Sequence, residues 1–241
     1  MTFDPFGDFE TQGYLRNLTK EKDPEIVRHL EHASFMTGID AALERLAKIK
    51  HLSYSDLLET HRILFEAVYP WAGQDRRTTA PDLAISRGPV LFAHPDEIQL
   101  AANYGLTRGQ DKEFMKAKPG EIMGYLAYAH PFLDGNGRAI MLVHALLAQR
   151  AGFSIDWAAT DKTDYLSALT KELEDPGKGH LDAYLKPFAR DAIPEDRLAE
   201  EIAQAPGLDG TDEQNEVLGK TSDPVLKARY AQQKLKRKGS T

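Results

Sequence analysis

Apolar residues recur along most of this 241-residue chain at steps of three and four, the spacing of one helix face. Ile39, Leu43, Leu46 and Ile49 follow that spacing within a stretch from Ile26 to Lys50. Asp23 is placed to cap its start, with Pro24 at the first helical position. Ser53 caps a second predicted helix, with Leu57, Leu58, His61, Leu64 and Phe65 along one face. Tyr69-Pro70-Trp71-Ala72-Gly73 breaks it. Further helices are predicted from Pro119 to His130, from Arg138 to Ala151 and, after a cap at Asp161, from Lys162 to Glu174. Helical texture also resumes near Pro95-Asp96-Glu97.

The stretch from Arg76 to Phe92 differs in kind. Pro81, Gly88 and Pro89 separate two short apolar pieces, Leu83 to Ile85 and Val90 to Phe92, which predicts a small β-hairpin or extended flap. The segment from Lys186-Pro187 to Asp191 completes the predicted core. From about Pro194 the texture changes. Gly, Asp, Glu and Gln dominate to about Asp223 with weak helical signal. Pro224 to Thr241 then carries six Lys or Arg and no acid, a pattern that serves a solvated helix or a tail. The predicted organisation is one mainly helical domain over 1–193 and a polar extension over 194–241 that ends in a basic run.

Composition narrows the classes. Hydrophobic residues make up 41% of the chain, enough for a packed core. A net charge of −7 argues against a surface built for nucleic acid. There is no cysteine, which excludes disulfides and thiolate metal sites and fits a reducing compartment. The acidic N-terminus does not have the form of a secretory signal, and no apolar run reaches the length of a membrane span. The expected location is the cytoplasm, with no membrane partner.

The chemistry concentrates in His130-Pro131-Phe132-Leu133-Asp134-Gly135-Asn136-Gly137-Arg138. Asp-Gly-Asn-Gly favours a turn with positive φ, and such a turn at a helix N-terminus points several N–H groups at an anion, phosphate above all. Arg138 adds a planar cation suited to phosphate oxygens. Asp134 is a hard oxygen ligand suited to Mg²⁺ between phosphates. His130, with an ordinary pKa near ~6.5, suits proton abstraction near neutral pH. A base, a metal carboxylate, an anion nest and an arginine within nine residues point to nucleotide transfer. Phe132 and Leu133 anchor the loop. His144, on the following helix, reads as a core residue. The other histidines show no metal-ligand spacing.

HPFLDGNGR resembles the signature of Fic domains, HPFx(D/E)GNGRxxR, and the likeness extends over roughly residues 10 to 190. PWAGQDRR is similar to the segment before the family's flap, and AISRGPVLFAHPDEI to the flap and the helix after it. The resemblance implies a Fic-type helical bundle with a small β-hairpin flap beside the active site. It implies transfer of AMP from Mg-ATP to a Ser, Thr or Tyr hydroxyl of a target protein. His130 is then the general base and Asp134 the Mg²⁺ ligand. Gly135, Asn136, Gly137 and Arg138 form the hole for the α- and β-phosphates. The flap, with Ile85, Ser86, Arg87, Gly88, Val90 and Phe92, docks the target by main-chain pairing. Tyr165 falls where family members line the nucleotide pocket, and core packing would serve equally.

Two positions depart from the pattern. The signature's final arginine, which holds the γ-phosphate, is replaced by Met141. The inhibitory pattern (S/T)xxxE(G/N) has at most a decayed counterpart in Ser34 to Ile39, with Thr37 where the glutamate would stand. This suits an enzyme free of that restraint or one held by an antitoxin-like partner. Doc-type relatives move the γ-phosphate instead and carry lysine at the last position of the GNG, so Gly137 favours AMP transfer. Other nucleotide donors, and a non-catalytic module that binds a nucleotide or a partner, remain alternatives.

Overall fold

The protein is described by a computed structural model that covers residues 2–208 and 215–238. It is mainly helical. In chain order the helices are α1 Phe9–Gln12, α2 Pro24–Ala47, α3 Tyr54–Phe65, α4 Arg76–Thr79, α5 Ile98–Gly109, α6 Lys112–Ala117, α7 Pro119–Ala129, α8 Asn136–Ala151, α9 Lys162–Glu174, α10 His180–Leu185, α11 Leu198–Ala203 and α12 Pro224–Lys238. The strands are β1 Leu83–Arg87, β2 Val90–Leu91, β3 Phe153–Ile155, β4 Ala189–Asp191 and β5 Glu216–Lys220. They form two small antiparallel sheets, ordered β2-β1-β5 and β3-β4.

The local signals act as the sequence suggests. Asp23 accepts from the Glu25 N–H with Pro24 in the first turn, and Asp161 accepts from the Asp164 N–H. Ser53 and Asp56 form a reciprocal capping box that closes the start of α3. α8 is apolar on nearly every face, from Ala139 to Ala148, and is accordingly buried on every side. It lies against α2, α3, α6 and α7 and forms the centre of the molecule. α2 and α3 approach closely at Gly38, where a Cβ would stand 2.9 Å from the Ile63 carbonyl oxygen. His144 is a core residue as expected, with its Nε2 2.9 Å from the Pro119 oxygen.

The extension departs from the sequence reading. The apolar core does not stop near residue 193, because Leu198, Ile202, Ala205 and Leu208 belong to it and α11 packs on α2 and α8. The basic run is a helix, α12, and it does not stand free in solvent. Its Leu226 and Tyr230 bury with Ala84 and Leu91 in a second, separate apolar cluster over the flap. The sequence places the start of the helix after the glycine-rich loop near Arg138, whereas α8 starts at Asn136 with Gly135 before it. Among the described residues, no helix is long and apolar enough to cross a membrane.

Candidate active site

α7 ends where His130 enters the left-handed region at φ 41°, and the chain then turns through Pro131–Gly135 into α8. Gly135 has φ 74°, and a Cβ there would stand 2.5 Å from the Phe65 ring, so both backbone and space demand glycine. Phe132 and Leu133 are fully buried, as anchors should be.

Side chains then fix the loop from within and from outside. The Asn136 amide clamps Phe132, accepting from its N–H at 2.9 Å and donating to its carbonyl at 2.8 Å. That pairing fixes the amide's orientation, so its Nδ2 faces His130 Nε2 as a donor at 3.3 Å. Nε2 therefore carries the lone pair, and the ring is ready to accept a proton there. His61, on α3, accepts from the Gly73 N–H with Nδ1 and donates from Nε2 to the Asp134 carbonyl, both at 3.0 Å. Burial pushes its pKa down to about 3, so it remains a neutral bridge. Its ring stacks on Phe132 at 3.7 Å.

Arg76 was not singled out in the sequence. Fully buried, it donates Nε to the His130 carbonyl at 2.7 Å and Nη2 to the Ala93 carbonyl at 2.9 Å. It thus joins the loop that begins at His130 to the segment after the flap. No local pattern marks it, because both acceptors are backbone oxygens remote in sequence.

One cavity brings together His130, Asp134, Gly135, Asn136, Gly137 and Arg138, the whole sequence-derived set at the loop. Arg28 from α2 and Arg87 from the flap share its wall. Among the described residues, two guanidinium nitrogens here, Arg138 Nη1 and Arg28 Nε, are buried with no hydrogen-bond partner. Unpaired buried cationic donors beside a helix N-terminus are what an anionic ligand would satisfy. Asp134 is about one-third exposed and offers a single carboxylate, which suits Mg²⁺ held mostly by phosphate oxygens and water. Among the described residues there is no cluster of three or more metal-binding side chains.

A second cavity adjoins the first and is lined by Met141, Trp157 and Tyr165 among others. Tyr165 thus stands beside the candidate nucleotide site, edge-on to Trp157 at 5.7 Å. Met141 faces this apolar cavity rather than the phosphate loop's own.

The flap residues divide. Ile85, Ser86, Val90 and Phe92 are buried, Gly88 is exposed, and Arg87 reaches both cavities. Phe92 stacks face to face on the His130 ring at 3.5 Å and 5°, so its side chain helps fix that imidazole in place. The expectation of an ordinary histidine pKa is corrected here. Burial, then the charges of Arg76 and Arg87, lower the His130 pKa well below 6.5. The imidazole is neutral across the neutral range, which is the form a base needs.

A carboxylate that the sequence reading passed over holds Arg138. Glu31, on α2 and almost wholly buried, pairs with Arg138 Nη2 at 3.2 Å and accepts from the Tyr69 hydroxyl at 2.6 Å. Burial, and next the charge of Asp134, push its pKa up to about 7 against the pull of Arg138. Thr37, in the decayed inhibitory pattern, is exposed and bonds only the Ala33 carbonyl of its own helix. When ionised, the Glu31 carboxylate would compete with a bound phosphate for Arg138. Affinity for ADP should therefore fall as pH rises through about 7. Glu31→Gln should flatten that dependence and tighten binding at pH 8 by roughly three- to tenfold. Equal pH slopes for the two proteins, by calorimetry, would refute the competition.

Residues 51–148 match the model of the Fic/DOC family. The chain is 31% identical over 175 residues to the protein adenylyltransferase VbhT of Bartonella schoenbuchensis, a match covering 68% of this chain and 35% of VbhT. It therefore spans about a third of that relative's length. It is 27% identical over 166 residues to the probable protein adenylyltransferase y4lH of Sinorhizobium fredii, covering 65% of this chain and 82% of y4lH. Among solved structures it resembles the BepC protein of Bartonella tribocorum with bound AMPPNP, at TM-score 0.58 and 17% identity over 73% of this chain and 92% of that one. It also resembles an N-terminal Fic domain of Bartonella quintana with bound ADP, at TM-score 0.59 and 21% identity over 73% and 90% of the two chains. At these identities the structural likeness establishes the fold, a mainly helical Fic fold with small antiparallel sheets. The residues that match the family model hold α3, the flap and the loop from His130 to Arg138, and the sequence relatives carry the name of protein adenylyltransferase; the chain belongs to the Fic/DOC family.

Proposed function

We propose that the protein transfers AMP from Mg-ATP to a Ser, Thr or Tyr hydroxyl of a target protein. The observation that carries this reading is the meeting, in one cavity, of a neutral buried imidazole, a glycine-rich helix N-terminus, an arginine with an unpaired nitrogen and a partly exposed carboxylate. The names of the sequence relatives support it.

In this reading the target hydroxyl oxygen attacks the α-phosphorus as its proton passes to His130 Nε2. The new O–P bond forms as the bond to pyrophosphate breaks, and pyrophosphate leaves with the electron pair. The Gly135–Gly137 turn, at the head of α8, and Arg138 bind the α- and β-phosphates and hold the developing charge, so catalysis is mainly positioning and electrostatic stabilisation. Asp134 is the residue placed to hold Mg²⁺. When bound, the ion would neutralise phosphate charge and orient the leaving group. Tyr165 and Trp157 offer an apolar wall to the base of the nucleotide.

Transfer is tested with purified protein, Mg²⁺ and a cell lysate, in parallel with ATP labelled on the α- or the γ-phosphate. Protein labelling from the α-phosphate alone, abolished by a metal chelator, is the expected result. Labelling from the γ-phosphate alone would replace the reading with phosphotransfer. Metal-independent nucleotide binding without any labelling would leave a binding module.

A further inference from the structure

The outer edge of the flap is not free. β1 pairs with β2 on one side and with β5 on the other, antiparallel, in the register Leu83–Lys220, Ala84–Gly219, Ile85–Val217 and Ser86–Glu216, with an irregularity between Ala84 and Ile85. The other side of the hairpin is also engaged. The Leu91 carbonyl accepts from Gln233 Nε2 at 2.8 Å, and the Ala93 N–H donates to the Tyr128 carbonyl at 3.0 Å. A strand added to β1 must therefore take the place of β5.

The residue before β5 lies at the catalytic loop. Asn215 donates its Nδ2 to the Leu133 carbonyl at 3.0 Å and lines the same cavity as His130 and Asp134. It stands where an acceptor residue would be presented by a strand running antiparallel to β1. Its side chain is an amide, with no hydroxyl to offer.

α12 fastens this strand. Leu226 and Tyr230 bury against Ala84 and Leu91, Lys234 pairs with Glu97 at 2.5 Å, and Arg237 lies over the Tyr128 ring at 3.4 Å. The clasp is small. Its apolar cluster is separate from the main core, and β5 itself is largely exposed, so it can open at far less cost than the fold as a whole.

We propose that residues 215–238 are a built-in occupant of the target-docking edge, with β5 standing in for the target's extended segment and Asn215 for its acceptor residue. This rests on the transfer reading above. It assigns the target class as an extended segment whose acceptor hydroxyl immediately precedes the residues paired with β1. It also makes release of β5 the step that admits a target.

The test uses the full chain. Asn215→Thr places a hydroxyl at the acceptor position, and label from α-labelled ATP is expected on residue 215 by mass spectrometry, lost when His130→Ala is added. Leu83→Cys with Lys220→Cys places two thiols at directly paired positions, in a chain that has no other cysteine. Oxidised, this variant should label lysate proteins about tenfold less or below, the effect of removing the docking-competent population, and reduction should restore labelling. Fluorescent ATP-analogue binding should be equal in the two redox forms. Leu226→Asp, which opens the clasp, should label lysate proteins more than the unsubstituted chain does. Equal lysate labelling by the locked and reduced forms overturns the proposal. So does an unlabelled residue 215 in a chain that labels lysate proteins. Silence from every variant, Leu226→Asp included, overturns the transfer reading itself and this inference with it.

Discussion

Replacing His130 with alanine is expected to lower AMP transfer by about 10²–10⁴-fold, the contribution of a positioned general base. In the proposed mechanism the imidazole takes no part in fixing phosphate, a role assigned to the α8 N-terminus and Arg138. Nucleotide affinity should therefore change little, and the loss should fall on kcat. The pH profile is a second readout. Because burial and the charges of Arg76 and Arg87 lower the His130 pKa, the acid limb of kcat/KM should lie well below pH 6.5. Arg87→Gln removes one of those charges and should move the limb toward 6.5. An alanine variant that keeps its activity, or an acid limb that ignores Arg87, would exclude His130 as the base.

Arg76→Ala is expected to destabilise the fold by about 3–5 kcal/mol and to abolish transfer with it. The substitution empties a fully buried volume and strips two carbonyls, those of His130 and Ala93, of their donors. Burial pulls the Arg76 pKa down to about 10, so the side chain is still charged at neutral pH while it holds His130's left-handed backbone in place. Arg76→Lys should not rescue it, because a single ammonium on a flexible stem cannot reproduce the planar fork that spans both oxygens. Denaturant unfolding checks the first part, and α-phosphate labelling under conditions where the variant is still folded checks the second. A loss below about 1 kcal/mol would show that water or another donor replaces the guanidinium.

Much of this molecule can be read from its residues, and the parts that cannot share a physical cause. The helix starts at Asp23, Ser53 and Asp161 are local events, settled by one side chain and the next few amides, so spacing reveals them. The catalytic loop is likewise contiguous, and all its sequence-derived members meet in one cavity. Arg76, His61 and Glu31 act across 54, 73 and 107 residues of chain on the same loop, and each looks like an ordinary polar position on its own helix. Thr37, in the same helix, bonds the Ala33 carbonyl, whereas Glu31, outside any recognisable pattern, pairs with Arg138. β5 is a strand only because β1 offers it an edge. Four of its five residues are exposed, so no alternation of apolar and polar positions marks it. α12 buries just Leu226 and Tyr230 deeply, too narrow a stripe to distinguish a docked helix from a solvated one by sequence.

The two apolar clusters give the site a stiff floor and a soft rim. The floor is α8, buried from Ala139 to Ala148 in the main core, which holds the amides at its head to the packed interior. The rim is the outer face of the flap with α12, joined by four side chains in a cluster of its own, while Ile85, Val90 and Phe92 hold the flap's inner face to the main core. Tolerance to evolutionary change should divide along that seam. The face assigned to the nucleotide is tied to a packed interior in which a single methylene is felt. In the proposed reading the face offered to protein targets, α12 and the outer edge of β1, can drift in sequence and length, and so acquire new clients, while Phe92 and Arg87 stay tied to His130.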